Sequence, residues 1–316
     1  MEDSELALQQ LAQCIRAKRE EQKVPAIKTQ DTGLEILGEA QTKDCFVGML
    51  ASGSQGNCAF IRCGKTKVLI DVGISSRRII QGLKRYGYTV DDIDAVFLTH
   101  EHADHVKGLA TLLKRSKMPI YTTAETWSVL DSAITTHRNR FMPLMKTTGV
   151  KDIKVVPFSI SHDAIRPVGY SVYFGHTKIT LATDLGMLTP VVQDNAAYSD
   201  ILILEANHDE QMVRSGPYPY HLRQRILGQQ GHLSNGTAGR FLRGIPAQGL
   251  MKVILAHRSE HNNTPTLAIQ TIRKVLSQGG KVMGQDIVLR LASQHGAVGM
   301  KAAVVKKDRG DVYDKI

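Results

Sequence analysis

Three histidines and an aspartate crowd the segment Thr99-His100-Glu101-His102-Ala103-Asp104-His105, directly after the apolar run Ala95-Val96-Phe97-Leu98. In an extended backbone, side chains at i and i+2 leave on the same side, so His100 and His102 face one way. Leu109, Leu112 and Leu113 then recur at helical spacing, and the turn into that helix brings Asp104 and His105 toward the same cleft. Polar groups at the carboxyl end of an apolar strand lie where α/β sheets collect their sites. Three imidazoles and a carboxylate suit Zn²⁺, or Mn²⁺ or Fe²⁺ where more oxygen donors complete the shell. With 12 His in 316 residues, chance would produce this arrangement in about one chain in a thousand. The competing reading is a polar helix start carrying surface histidines.

The surrounding pattern supplies a scaffold of matching kind. Strands are expected at Lys67–Asp71, Ala95–Thr99, Ile153–Val156, Tyr170–Tyr173, Ile179–Ala182, Ile201–Leu204 and Val253–Ala256. Helices are expected after residue 104, near 221–229, and from Pro265 to Ser277. The last has Thr264 as N-cap, Pro265 at the first position and Gly279 beyond its end. Strands mixed with helices make a layered α/β protein. One cluster cannot complete two metal shells, so further ligands belong at other strand ends. His162, Asp184 and His257 each follow a strand. For each alone, a hydrogen-bonded structural role is the alternative.

Charge points to a partner. The 40 Lys+Arg against 30 Asp+Glu give +10. Residues 1–42 hold five basic and eight acidic side chains, so the remainder carries +13. Such a surplus favours a polyanion, nucleic acid first, over a merely solvated basic surface. The chain is expected to divide into an appendage over 1–42, a catalytic domain over 43–295 and a polar tail over 296–316. In the appendage, Leu8, Leu11 and Ile15 suggest a helix over 5–22, ended before Pro25. That helix packs on the body, docks a protein partner, or is mobile. No apolar run approaches the roughly 20 residues of a membrane helix, and no signal peptide follows Met1-Glu2-Asp3. A cytoplasmic protein with no membrane partner is expected. Cys14, Cys45, Cys58 and Cys63 form no C-x-x-C pair and are expected to be reduced, buried thiols.

The arrangement resembles the metallo-β-lactamase fold family, whose His-x-His-x-Asp-His motif is followed by a His, an Asp and a final His at strand ends. Here these are His100, His102, Asp104, His105, His162, Asp184 and His257, with Asp71 matching a structural aspartate beneath the site. Within the family the chain resembles the YycJ/WalJ branch. That likeness is carried by Ala51-Ser52-Gly53-Ser54-Gln55-Gly56-Asn57, Glu205-Ala206-Asn207-His208-Asp209, Gly216-Pro217-Tyr218-Pro219, Gly231-His232-Leu233-Ser234-Asn235 and Asn262-Asn263-Thr264-Pro265. It spans about residues 45–290.

The resemblance implies a four-layer αββα sandwich and a 5′-to-3′ exonuclease acting on DNA. It implies two divalent metals: one on His100, His102 and His162, the other on Asp104, His105 and His257, with Asp184 bridging. A hydroxide between the metals would be the nucleophile. Asp104, Asp184 and His232 would be the catalytic residues, His232 donating a proton to the leaving group or merely capping a helix. Ser52, Ser54, Asn57, His208, Ser234 and Asn235 would contact substrate. A homodimer is compatible with the family. The alternatives are a cyclic-nucleotide phosphodiesterase or an ester or thioester hydrolase on the same fold. The 72 residues between Asp184 and His257 are too few for a β-CASP insertion, and the 21 between His162 and Asp184 too few for a transfer-RNA-binding arm. Two features depart from the branch: residues 1–42 have no counterpart, and Arg258 and His261 stand where a Leu and an acidic residue are usual.

Overall fold

Strands buried on both faces read as unbroken apolar runs rather than as alternating ones. Cys45-Phe46-Val47-Gly48-Met49-Leu50-Ala51 and Ile201-Leu202-Ile203-Leu204-Glu205 are wholly buried in this way. A computed structural model describes residues 44–131 and 135–302 of the chain. The helix expected over 5–22, and the rest of the 1–42 appendage, lie outside the described residues.

The strands are β1 (Cys45–Ala51), β2 (Cys58–Cys63), β3 (Thr66–Ile70), β4 (Ala95–Phe97), β5 (Ile120–Thr122), β6 (Phe141–Pro143), β7 (Thr148–Val150), β8 (Ile153–Ser159), β9 (Val168–Phe174), β10 (Thr177–Ala182), β11 (Ile201–Glu205), β12 (Met251–Ala256), β13 (Ile287–Leu291) and β14 (Val298–Ala302). The helices are α1 (Ser76–Arg85), α2 (Ala103–Val106), α3 (Leu109–Leu113), α4 (Ala124–Leu130), α5 (Pro190–Ala196), α6 (Glu210–Ser215), α7 (Tyr220–Leu227), α8 (Asn235–Gly244) and α9 (Pro265–Gln278). Two sheets form, in the orders β14-β1-β2-β3-β4-β5-β6 and β13-β12-β11-β10-β9-β8-β7. Each is mixed, with β3 to β6 parallel in the first and β10 to β13 parallel in the second.

The layers follow from which side chains each strand face buries. Val47, Ile61, Val68 and Phe97 of the first sheet pack against Val155, Tyr170, Ile179 and Ile203 of the second. On the outer face of the first sheet, Leu50, Phe60, Leu69 and Val96 meet Ile79 and Leu83 of α1 and Leu109, Leu112 and Leu113 of α3. On the outer face of the second, Leu202, Leu204, Val253 and Leu255 meet Val192 of α5, Ala238 and Leu242 of α8, and Ile272 and Leu276 of α9. This is the expected four-layer αββα sandwich. Each buried Leu or Ile contributes about 2 kcal/mol relative to exposure.

The α9 signals act as read: Thr264 Oγ1 accepts the Leu267 N–H, Pro265 opens the helix and Gly279 follows it. Other features differ from expectation. Val298–Ala302 lie in the segment read as a polar tail, yet form β14, antiparallel to β1 in the register Cys45↔Ala302. Cys45 also pairs in register with Cys63, and the two form a disulfide across β1 and β2 where free thiols were expected. Their separation of 18 residues conceals a pairing that only the strand register creates. Cys58 is free and buried, as expected. Among the described residues, no helix is long and apolar enough to cross a membrane.

Candidate metal centre

The seven candidate ligands arrive at one place because parallel strands end on one side. β4 runs into His100, and the N-terminal turn of α2 carries Asp104 and His105. In the other sheet, β8 leads to His162, β10 to Asp184 and β12 to His257. Asp71, Asp184 and His257, which follow β3, β10 and β12, all have positive φ, at 58°, 59° and 52°. A left-handed residue turns the chain sharply out of the strand, at a cost of about 1–3 kcal/mol each. Such strain persists where the surroundings over-determine the position, and here it aims ligand-bearing side chains.

Four overlapping groups of donor atoms result, the atoms of each lying within 4.8 Å of one another. His100, His102 and His162 form one and Asp104, His105 and His257 a second, while Asp184 joins His100 and His105 in a third and Glu205, His232 and His257 in a fourth. Asp184 lies between the first two. Its Oδ1 is 3.3 Å from His257 Nε2 and 3.8 Å from His162 Nε2, and its Oδ2 is 3.4 Å from His105 Nε2. His257 Nε2 is 3.3 Å from Asp104 Oδ2, and His162 Nε2 is 3.3 Å from His102 Nδ1. His100 Nε2 and Asp184 Oδ2 are buried without any hydrogen-bond partner. Orphaned buried donor atoms are costly. Converging on a common centre, they fit two divalent cations, which would satisfy them.

Electrostatics agree with a site built for positive charge. Burial, reinforced by the neighbouring imidazoles of His105, His162 and His102, keeps His100 neutral, well below the usual histidine range. Burial alone would raise the Asp104 carboxyl, but hydrogen bonds from His105 and His257 outweigh it and hold the group ionised, well below the usual carboxylate range. Burial opposes charge on His105 and His257, yet Asp184 and the other carboxylates around them push both well above their usual value. Divalent ions bound there would take the place of protons on these imidazoles.

A buried layer orients these groups. Asp71 accepts the Thr99 N–H at 2.8 Å and faces His105 Nδ1 at 2.8 Å, leaving Nε2 turned toward the centre. Glu205, the last residue of the buried strand β11, accepts the Leu185 and Leu233 N–H groups on Oε2, at 2.6 and 3.0 Å. Its Oε1 lies 2.9 Å from His257 Nδ1 and 2.8 Å from His232 Nδ1. Four partners for one carboxylate explain how a charge is kept in so apolar a strand. The Asn207 amide donates to the His257 carbonyl oxygen at 2.8 Å.

The 52–57 turn is drawn into this layer. Ser52 Oγ accepts the His257 N–H at 2.7 Å, and Asn57 Oδ1 accepts the Gly53 N–H at 3.0 Å. Asn57 Nδ2 lies 3.3 Å from Asp104 Oδ2 and 3.2 Å from His105 Nε2. Gly73 makes the close approach possible: a Cβ there would lie 1.6 Å from the Asp104 carbonyl oxygen.

Of the six residues expected to touch substrate, Ser54 alone is exposed, while Ser52, Asn57, His208, Ser234 and Asn235 are buried. Ser234 Oγ caps α8 and donates to Glu210, and Asn235 pairs with Asn263. Burial lowers His208 to about 4. His232 stays partly open, its side chain 21% exposed, and its Nδ1 is occupied by Glu205. The reading of residues missed the roles of Thr99 and Glu205. The signal for Glu205 was present: a carboxylate ending an otherwise apolar run, Ile201-Leu202-Ile203-Leu204-Glu205.

Comparison with known proteins agrees with this geometry. Residues 66–257 match the family model described as a beta-lactamase superfamily domain. The chain is 32% identical over 243 residues to the exodeoxyribonuclease WalJ of Streptococcus pneumoniae, covering 75% of this chain and 90% of that protein. It is 31% identical over 240 residues to the exodeoxyribonuclease YycJ of Bacillus anthracis, covering 75% and 91%. The metallo-beta-lactamase fold protein YhfI of Bacillus subtilis superposes with a TM-score of 0.61 at 16% identity, over 82% of this chain and 100% of that one. The motif, the four layers and these likenesses together mean that the chain belongs to the metallo-β-lactamase superfamily, on its WalJ/YycJ branch.

Proposed function

We propose that this chain is a metal-dependent phosphodiesterase that degrades DNA from the 5′ end. The single observation that carries the reading is the position of Asp184, within 3.3 to 3.8 Å of His105, His162 and His257, between two separate triads of donor atoms. The related proteins named exodeoxyribonucleases support the substrate class. So does the +13 carried outside residues 1–42.

In this reading His100, His102 and His162 would hold one divalent ion and Asp104, His105 and His257 the other, with Asp184 placed between the two sets. Five imidazoles favour zinc, with manganese or iron as substitutes. Divalent ions bound there would supply Lewis-acid polarisation of a phosphodiester and a water pKa lowered toward about 7. The chain supplies the rest. Asp71 and Glu205 fix the tautomers of His105 and His257, so that each presents Nε2 to the centre. Glu205 likewise accepts from His232 Nδ1, and in its imidazolium form His232 carries a second proton, on Nε2, that can pass to a leaving 3′ oxygen. Ser52 and Asn57 hold the last histidine and the Asp104–His105 turn in place. Exposed Ser54 contacts the substrate.

The test is one comparison of 5′-labelled duplex DNA, single-stranded DNA and cyclic nucleotides, each with Zn²⁺ or Mn²⁺, alongside Asp184→Ala. Mononucleotide release from the 5′ end, lost in the variant, is the expected result. Cleavage of cyclic nucleotides alone would overturn the DNA reading. Undiminished activity in Asp184→Ala would overturn the two-metal assignment.

A further inference from the structure

Asp163 follows the candidate ligand His162 and lies between it and helix α7. Its Oδ1 is 3.4 Å from His162 Nε2 and is buried without a hydrogen-bond partner. Its Oδ2 accepts from Arg225 Nε at 2.6 Å. The Arg225 side chain is 58% exposed. With Nε spent on Asp163, both its Nη groups have no partner among the described residues. Arg223 differs: its Nη1 donates to the Arg214 carbonyl oxygen, within the α6–α7 pair.

The segment that follows α7 is bound to the loops carrying the ligands. Ser161 Oγ donates to the Gln229 carbonyl oxygen at 2.6 Å, and the Gly186 N–H donates to the Ser161 carbonyl oxygen at 2.8 Å. The contact is so close that a Cβ on Gly186 would lie 2.0 Å from the Gln229 oxygen. The loops holding His162 and Asp184 are thus bonded to the segment after α7, which keeps that end of the helix beside the centre.

We infer that Arg225 contacts a backbone phosphate of the bound strand, and that Asp163 is the positioning residue that holds its guanidinium at the rim. The inference rests on the nuclease reading and names one specific substrate contact within it. A guanidinium anchored through Nε presents its two Nη groups as a fork, which matches two oxygens of one phosphate. A lysine ammonium cannot keep both the Asp163 bond and that fork.

The experiment uses the metal-loaded full chain and its variants Arg225→Ala, Arg225→Lys and Asp163→Asn, with Arg240→Ala on α8 as a surface-cation control. Binding of an oligonucleotide protected at its 5′ end by phosphorothioate linkages is followed by fluorescence anisotropy across a salt series, beside steady-state cleavage and metal content by mass spectrometry. For Arg225→Ala, KM should rise about tenfold with kcat within about threefold, and the log–log salt slope should fall by about one, as for one lost phosphate contact. Arg225→Lys should recover the slope but not KM. Asp163→Asn should raise KM with metal content unchanged. A wild-type slope and KM in Arg225→Ala would overturn the contact, and loss of metal in Asp163→Asn would overturn the positioning role. If the wild-type chain cleaves no DNA, the nuclease reading fails instead, and the binding slopes still decide the phosphate contact.

Discussion

Glu205 Oε1 lies 2.9 Å from His257 Nδ1, and the same oxygen lies 2.8 Å from His232 Nδ1. One buried carboxylate therefore sets the tautomer of the last candidate metal ligand and of the candidate proton donor together. Glu205→Gln keeps the volume but replaces two acceptor oxygens by one oxygen and one amide. Either the two backbone N–H groups or the two imidazoles lose their acceptor. Metal affinity should fall about 10- to 100-fold, and kcat should fall with it. Metal titration followed by competition with a chelator checks the first, and cleavage at saturating metal separates the second. Unchanged affinity would mean that the carboxylate serves the strand end alone.

Asp184 stands between the triads, so Asp184→Ala should affect both ions. Metal content should fall from two per chain toward one. Loss of several kcal/mol of charge stabilisation predicts a drop of about 10³-fold or more in kcat. Metal analysis of the purified variant and single-turnover cleavage measure the two effects. A variant retaining two ions and full activity would contradict the bridging position.

His232 is not in either triad and is only 21% exposed. His232→Ala should lower kcat about 10²- to 10³-fold while leaving metal content and KM near wild type, the pattern of a lost proton donor. A substrate with a good leaving group, such as a p-nitrophenyl phosphodiester, should be nearly insensitive to the change. If both substrates slow equally, the residue acts on the site's geometry rather than on the proton.

Lys178 offers a test of stability away from the centre. It is only 5% exposed, its Nζ donates to the Ala197 carbonyl oxygen at 2.9 Å, and burial pushes its amine down to about 8. The folded pKa lies below the unfolded value near 10.4, so the unfolded chain binds more protons between these values. Stability from this group is therefore fully present above the unfolded pKa and is lost as pH falls through about 8. Between pH 7 and 9.5 the wild type should gain about 2 kcal/mol relative to Lys178→Met. Urea unfolding of both proteins at the two pH values measures the difference. Parallel pH profiles would show that the amine titrates normally.

Much of this protein is legible in its sequence because the relevant signals are local. The run Ala95–Leu98 followed by His100, His102, Asp104 and His105 states a strand, a turn and a ligand set within a few residues. Thr264, Pro265 and Gly279 mark both ends of α9 by the chemistry of unsatisfied backbone groups. Weaker local signals went unread. β1 has a glycine at its middle, where Gly48 makes room for the Tyr86 ring, and β2 ends in Arg62-Cys63 with Arg62 buried. β14 went unread because the charged run Lys306-Lys307-Asp308-Arg309 that follows it dominates the composition of 296–316.

What the sequence determined by itself was the chemistry: seven ligand-type residues, each placed after a strand or at a helix start, and a basic body around them. Their division into two triads came with the family resemblance; only the tertiary structure decided what holds them in place. Asp184 comes between two triads because strands from opposite sheets end at the same side of the sandwich. Cys45 meets Cys63 through the antiparallel register of β1 and β2, Glu205 meets His257 because parallel β11 and β12 end side by side, and Glu205 meets His232, as Asp163 meets Arg225, where segments beyond the strand ends pack together. These pairs are 18, 27, 52 and 62 residues apart. No periodicity links such positions, and the register and packing that join them are fixed only when the apolar faces of both sheets close on one another.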